Sequence, residues 1–474
     1  MGNVENVRMV KEALTEAINE VCKEKEKYST FENAFIRNRD LPLPKLIEDI
    51  LLFENKSIEK SLLGNHQFSK TTPTAAAFVR QRNKLKPEAF EHIFNSFNSK
   101  ASDFCTKKFE GYRLLAGDGT DVNIYLNPND EETYISEYGK RGFNLLHVNT
   151  LYDLENQIYT DVTISGKRKT SERRELNAMA DRAELNEPTI LILDRGYEGL
   201  NVFAHLIKDG FYFLIRLKDT DSNGVSAGYK DCGEAFDVDF DKIIRRYTPY
   251  HAENRDDYKV INDNTTFDFL KEAGDEFPVQ FRIVRFQLDN GNYECLATNL
   301  SRGNFPPEKL KALYARRWGI ELSYRDLKYT LGMNNMHSRK TNSIKHPLYH
   351  IFFYNTSCPS QYYAGYYALQ NNYDPKAESG KYWDPQVLKA SDVYKLYTKR
   401  LTKPNQNTSG FVFYKNLIGK VYKMDFYEYK SKLFIYEFHF DTIYPKNDRV
   451  IKKEKNPNKF SKHKIFIALN EIQK

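Results

Sequence analysis

The helix segment LYARRWGIELSYRDLK sets four side chains with chemistry in them at one repeating interval: Tyr314, Arg317, Glu321 and Lys328, in the spacing Y-x2-R-x3-E-x6-K. At about 100° per residue an α-helix gathers these four into a stripe roughly 60° wide. A phenol, a guanidinium, a carboxylate and an ammonium then share one face. A core-facing stripe would be apolar, and a merely solvated face would not need Trp318 and Tyr324 interleaved among the charges. Residues 306–345 carry nine Lys or Arg against three acids, a net +6 that nearly equals the +7 of the whole chain. That is the local electropositive surface a phosphate backbone requires.

Two aspartates join this glutamate at the ends of predicted core strands, where an α/β sheet presents ligand groups. Asp118 closes the strand RLLAG and lies between Gly117 and Gly119, which leave room for a bulky ligand close to the backbone. Asp121 competes for the same role, but three residues further along an extended strand it points to the opposite face. Asp194 ends the apolar run PTILILD and precedes Arg195, Gly196 and Tyr197, so its carboxylate emerges at the sheet edge. Taken singly, an Asp after a strand is more often a cap or a turn residue. The helix supplies the specific signal.

The elements that must position these groups follow in order along the chain. Residues 1–105 read as a helical N-terminal region, with apolar positions at helical spacing in VENVRMVKEALTEAINEVC and KLIEDILLFENKSIEKSLL. In TTPTAAAFVRQRNKL, Thr72 caps and Pro73 takes the first helical position. Arg80, Arg82, Lys84 and Lys86 then punctuate a short basic helix that either enters a DNA groove or presents a solvated face. Residues 106–218 turn to β: GYRLLAG, then FNLLHVNTLYDL and QIYTDVTIS as a hairpin about Glu155 and Asn156. A helix over about 171–184, the strand ending on Asp194, the helix EGLNVFAHLIKDG closed by Gly210 and the strand FYFLIRL complete this part.

Strand, hairpin, helix, strand, helix, strand is the order of an RNase H-like α/β core. Residues 219–293 interrupt it as a β-rich insertion, with 15 acidic against 7 basic residues between 219 and 276. The core resumes over 294–345 with YECLATNL and one long helix from about Pro307 to Tyr329. The expected fold class is therefore α/β: an RNase H-like catalytic core with a β-rich insertion, preceded by an α-helical N-terminal domain.

With these motifs in place, the chain resembles the DDE transposases of the insertion-sequence four type, which include the hairpin-forming cut-and-paste enzymes. The resemblance rests on DGTDV at Asp118, LILDRGYEG at Asp194, FLIRLK at 213–218 and the Y-x2-R-x3-E-x6-K helix, and it covers about 30–345. It implies that Asp118, Asp194 and Glu321 are catalytic and bind two divalent ions, Mg²⁺ or Mn²⁺, and that Tyr314, Arg317 and Lys328 contact phosphates of the transposon end. It also implies that the N-terminal helices, with Arg80 and Arg82, help to recognise terminal inverted repeats, and that a homodimer pairs two ends in a synaptic complex before they meet target DNA.

The residue types agree with that assignment. Hard carboxylate oxygens suit Mg²⁺ or Mn²⁺, and two such ions about 4 Å apart can activate a water or a 3′-hydroxyl and steady the leaving oxygen. Arg317 can grip a phosphate bidentately and Lys328 act on it as a point charge. Trp318 or Tyr324 either stacks on a splayed base or fills the core. Arg216 and Lys218 offer modest backbone contacts, Lys167, Arg168 and Lys169 form a basic loop, and His147 reads as a core or edge histidine. Two other readings use the same residues: an RNase H-like nuclease without strand transfer, and an inactive or domesticated protein that binds transposon ends.

Composition bounds these readings. At 474 residues two to three domains are expected. Five cysteines without a CxxC pair argue against a zinc ribbon or a disulfide scaffold and fit a reducing cytoplasm, with nucleoid association when DNA is bound. No segment has the length and apolarity of a signal peptide core or a membrane span. Residues 346–474 break the pattern: they hold nearly half of the 33 tyrosines, with Lys and Asn abundant and periodicity poor. Such a tail reads as out-of-frame translation, a foreign fusion, or a divergent aromatic-rich contact region.

Overall fold

The computed structural model describes residues 2–348, apart from positions within 37–40, 54–56, 67–70, 102–105, 137–140, 167–170, 248–254 and 330–347 and Ala273, and the backbone of 408–415, 421–429 and 432–440. Five helices open the described chain: α1 (Gly2–Lys23), α2 (Leu43–Leu51), α3 (Ile58–Asn65), α4 (Ala75–Arg82) and α5 (Glu88–Ala101). The chain divides by packing into two units, residues 1–32 with 85–369 and residues 33–84 with 370–474.

In the first unit α1 packs on α5. Glu20 on α1 accepts hydrogen bonds from Lys100 Nζ and Ser96 Oγ, each at 2.6 Å, and meets His92 Nε2 at 3.0 Å. The Lys100 bond first, and then that of Ser96, hold the Glu20 carboxyl down at about 2. In the second unit α4 begins two residues later than the TTP pattern suggests. Thr74 is its N-cap, accepting from Ala77 N at 3.2 Å, whereas the Thr72 hydroxyl turns back to the Ser69 carbonyl at 2.6 Å. Thr72 therefore closes the preceding turn, and Pro73 stays outside the helix.

The rest of the first unit is a mixed α/β body around one sheet of ten strands. Its first half comprises β1 (Arg113–Ile124), β2 (Tyr134–Ile135), β3 (Phe143–Asp153), β4 (Ile158–Gly166), α6 (Glu172–Asp181), β5 (Thr189–Leu193), α7 (Leu200–Lys208) and β6 (Tyr212–Leu217). β7 (Phe236–Arg245), β8 (Tyr258–Val260), β9 (Phe277–Gln287), β10 (Tyr293–Thr298), α8 (Pro307–Ala315) and α9 (Trp318–Tyr329) follow. The strand order is β2-β3-β1-β5-β6-β10-β9-β7-β8, with β4 also paired to β3. β1, β5 and β6 run parallel, while β3 and β10 flank them antiparallel.

The β3–β4 hairpin forms where the sequence places it. Asp153 fixes the turn by accepting from the backbone N of Glu155 and Asn156, and Gln157 adopts a φ of 59° to complete it. The expected β-rich insertion does not build a sheet of its own. β9 pairs with β10 of the core on one side and with β7 on the other, so the acidic stretch extends the same sheet. Its strand FPVQFRIVRFQ is buried at most of its central positions, which requires cover on both faces.

Two apolar layers sandwich the sheet. Leu115, Leu191, Leu193, Phe213 and Ile215 face Leu176 and Met179 of α6 and Phe203 and Leu206 of α7. Their alternates Leu114, Ile190, Ile192 and Leu214 face Leu310, Leu313 and Tyr314 of α8. The helix expected from Pro307 to Tyr329 is broken at Arg316 and Arg317. There the backbone N atoms of Arg316, Arg317, Gly319 and Ile320 each bond to a carbonyl three residues earlier, including Arg317 N to the Tyr314 carbonyl at 3.0 Å and Ile320 N to that of Arg317 at 3.1 Å. This tightened 3₁₀-type turn ends α8 before α9 begins. Beyond it, strands Thr408–Lys415, Val421–Tyr429 and Lys432–Phe440 form a three-stranded antiparallel sheet. The rest of the atypical tail lies outside the described residues.

Candidate active site

Strand register brings the two expected aspartates together. Parallel pairing of β1 with β5 sets Gly117 opposite Leu193, so the next residues, Asp118 and Asp194, stand side by side where β5 ends; β1 does not close at Asp118, as the sequence suggested, but runs on to Ile124 against β3. Both continue the even-numbered series that faces the α8 layer. Asp121 belongs to the other series: it bonds His147 Nδ1 at 2.5 Å, and His147 Nε2 meets Asn149 Oδ1 at 3.1 Å and Glu172 of α6 at 3.3 Å. A side chain at Gly119 would strike His147 Nε2 at 2.7 Å, so the glycine after Asp118 admits this imidazole on the opposite face and does not make the expected room for a ligand at Asp118. His147 is a buried, fully bonded structural residue.

Asp194 shapes its own exit. It is the N-cap of the short 3₁₀ turn Arg195–Tyr197, and its Oδ1 accepts from Gly196 N at 2.8 Å. Asp118 Oδ1 accepts from Gly119 N at the same distance. Behind Asp194, buried Glu198 accepts from Lys218 N at 2.8 Å and Val225 N at 2.6 Å, tying this turn to the chain leaving β6.

The third carboxylate arrives on α9, which is fastened to β1 and its neighbours. Tyr324 Oη donates to the Asp118 carbonyl at 2.7 Å and meets Thr150 Oγ1 at 2.7 Å, while Tyr159 Oη meets Ser323 Oγ at 2.6 Å. Glu321, one turn before Tyr324, is paired with Arg317 Nη2 at 2.5 Å. Burial above all pushes the Asp118 carboxyl up to about 7. The Gly119 amide opposes the shift, Asp194 and Glu321 add to it, and Arg317 opposes it. The three carboxylates and Arg317 thus share one electrostatic neighbourhood.

A second row of groups stands beside it. Tyr314 is buried, its hydroxyl lacks a hydrogen-bond partner among the described residues, and burial pushes it up to about 12. Arg216 pairs with buried Glu294 at 3.0 Å, and both charges act on Tyr314. Glu294 was not anticipated; its signal was a lone acid in the apolar strand YECLAT. Lys328 sits half-buried in the last turn of α9.

Other expected contacts are placed differently. Trp318 is 58% exposed and so is no core residue, whereas Tyr324 is enclosed and cannot stack on a base. Arg80 is exposed, but Arg82 is 2% exposed, lies over the Phe78 ring and has its guanidinium brought down to about 10 by burial. Buried in this way, Arg82 does not offer the groove contact expected of it. Lys167, Arg168 and Lys169 lie outside the described residues. Among the described residues, the group whose ligand atoms all lie within 4.8 Å of one another is Asp181, His205 and Asp209. These occupy the C-terminal ends of α6 and α7, at the sheet edge opposite Asp118 and Asp194, and only the fold unites them. His205 is held there by Asp181 at 2.8 Å and Asp268 at 3.0 Å.

The family described as the transposase DDE domain matches residues 110–353. No curated protein matches the chain. Among solved structures, a piggyBac transposase synaptic complex with hairpin DNA covers 77% of this chain and 78% of that chain, at 9% identity and a TM-score of 0.37. That score is too low for the likeness to bear on fold or function. No described helix is long and apolar enough to cross a membrane.

Proposed function

Because this chain belongs to the transposase DDE domain family, we propose that it is a cut-and-paste DNA transposase acting by metal-dependent phosphoryl transfer at insertion-sequence ends. The observation that carries this reading is the Gly117–Leu193 pairing, which puts Asp118 beside Asp194 on the face reached by Glu321. The order β4-β3-β1-β5-β6 supports an RNase H-like core, and the Y-x2-R-x3-E-x6-K spacing supports the insertion-sequence four type.

The donor set fits hard divalent cations. A buried carboxyl raised to about 7, mainly by burial and partly by two other carboxylates, has less positive charge beside it than its ionised form requires, even with Arg317 near. Asp118, Asp194 and Glu321 would hold two ions, Mg²⁺ or Mn²⁺. When bound, they supply Lewis-acid activation of the attacking oxygen and charge relief at the leaving one. The chain's own residues do the rest. Arg317 and Lys328 grip the phosphates beside the scissile bond, and the Tyr314 hydroxyl, which has no hydrogen-bond partner among the described residues, donates to one of them. Arg216, held by Glu294, adds backbone charge at the rim. Attack of water on phosphorus breaks the bond to the 3′-oxygen and leaves the phosphate on the 5′ side. The freed 3′-hydroxyl then attacks a target phosphate, its oxygen bonding to phosphorus as the target strand's own 3′-oxygen leaves with a proton. Exposed Trp318 takes a base splayed from the duplex, and Arg80 reads the inverted repeat. A homodimer holds both ends.

The test is cleavage of a labelled duplex that carries the element's own inverted repeat, with Mg²⁺ or Mn²⁺. Glu321→Gln removes one metal-holding charge, a loss of several kcal/mol of transition-state stabilisation, hence a rate fall on the order of 10²–10⁴-fold. Duplex binding is retained. Cleavage by the variant at the wild-type rate overturns the reading.

A further inference from the structure

Resting on that reading of Asp118 and Glu321, we propose that Tyr324 is a positioning residue whose hydroxyl sets the distance between these two carboxylates. Its ring is enclosed at 6% exposure, and its Oη lies 2.7 Å from both the Asp118 carbonyl and Thr150 Oγ1. A phenol carries one proton and a carbonyl can only accept, so Tyr324 donates to Asp118 and Thr150 donates to Tyr324. Asp118 and Thr150 are cross-strand partners in the β1–β3 ladder. One hydroxyl therefore grips both strands at the register position of the first carboxylate.

The helix needs such a grip. The tightened turn at Arg316 and Arg317 separates α9 from α8, so the contacts of α9 itself must fix its height over the sheet. Arg316 pairs with Glu155, Gly319 comes so near Leu154 that a Cβ would sit 2.9 Å from its Cδ2, and Ser323 bonds Tyr159. These hold the helix to the β3–β4 hairpin. Tyr324 binds it to the peptide of Asp118 directly. Glu321 lies three residues earlier, a spacing that sets two side chains side by side on a helix. Phenylalanine would fill the same space, so the hydroxyl is there for the bond and not for burial.

The experiment titrates Mn²⁺ into the full chain, with free ion counted by electron paramagnetic resonance, and follows cleavage of the end duplex in parallel. Wild type is compared with Tyr324→Phe, Thr150→Val and Glu321→Gln. Outer-sphere partners of metal ligands typically account for about 10–100-fold in affinity or activity. Tyr324→Phe is expected to weaken Mn²⁺ binding and slow cleavage within that range, with the affinity for the duplex unchanged. Thr150→Val loses a buried hydroxyl of the same network but keeps the bond to Asp118, and is expected to bind Mn²⁺ like wild type. Equal weakening by both variants, or none by Tyr324→Phe while Glu321→Gln weakens binding, overturns the proposal alone. Binding that Glu321→Gln leaves intact overturns the reading of the site and the proposal with it.

Discussion

Gly117→Ala tests whether the contact between β1 and β5 is as close as the site requires. A Cβ at this position would lie 2.6 Å from Leu193 Cδ2, 3.2 Å from Leu176 Cδ1 and 3.4 Å from Leu151 Cδ2, and all three leucines are buried. Carbon atoms rest comfortably at about 3.5–4.0 Å, so the Leu193 methyl must retreat by about an ångström. Leu176 and Leu151 already occupy the space beside it, and forcing an extra methyl into such a core costs about 1–3 kcal/mol. Gly117 has no left-handed backbone, so alanine returns about 0.4–1 kcal/mol by restricting the unfolded chain. Overpacking wins, with a net loss of about 1 kcal/mol. The effect on chemistry is larger, because Leu193 precedes Asp194 and Gly117 precedes Asp118. A misplacement of about 1 Å costs about 100-fold in rate.

Urea unfolding and single-turnover cleavage together read both effects. Gly303→Ala, where a Cβ would meet nothing within 4 Å, is the control and leaves both unchanged. Cleavage by Gly117→Ala that falls no further than its stability would refute the argument that this register sets the site. A stability equal to wild type would refute the packing estimate beneath it.

Two further outcomes are expected. Glu20 is held at about 2, below its ordinary 4.5, so its interactions stabilise the fold above about 4.5 and are lost as pH falls through about 2. Glu20→Gln should therefore be less stable than wild type at pH 7, and the gap between their thermal midpoints should narrow toward pH 2; a gap that ignores pH contradicts the Lys100 contact as its source. Trp318→Ala removes a side chain 58% exposed, so stability should change by less than about 0.5 kcal/mol. Affinity for an end with a splayed base should drop by about 1–3 kcal/mol, the usual worth of one base on one aromatic ring; equal losses on splayed and fully paired ends would exclude stacking.

The site was legible because its residues lie on or directly after regular elements whose periodicity sets side-chain direction. Asp118 lies within β1 and Asp194 follows the last residue of β5; the alternation of both strands fixes which way each carboxylate points, and Asp121 was set aside by the same two-residue period. The Tyr314, Arg317, Glu321 and Lys328 spacing came from helical geometry, yet that geometry assumed one unbroken helix. The turn at Arg316 and Arg317 lies in hydrogen-bond choices that a face pattern does not register. Trp318 and Tyr324 show a similar limit. Periodicity put both near the charged face, but only packing decided that the tryptophan is open and the tyrosine enclosed.

What the sequence determined by itself was the inventory of carboxylates, the strands and helices that carry them, and the family. These depend on neighbours in the chain, a few residues apart. What the tertiary structure alone decided was contact between distant segments: Gly117 beside Leu193, Tyr324 on the Asp118 carbonyl, β7 joined to β9, Arg82 withdrawn into the interior and Asp181 gathered with His205 and Asp209. Local propensity and spacing cannot set these, because register and burial follow from how whole faces pack.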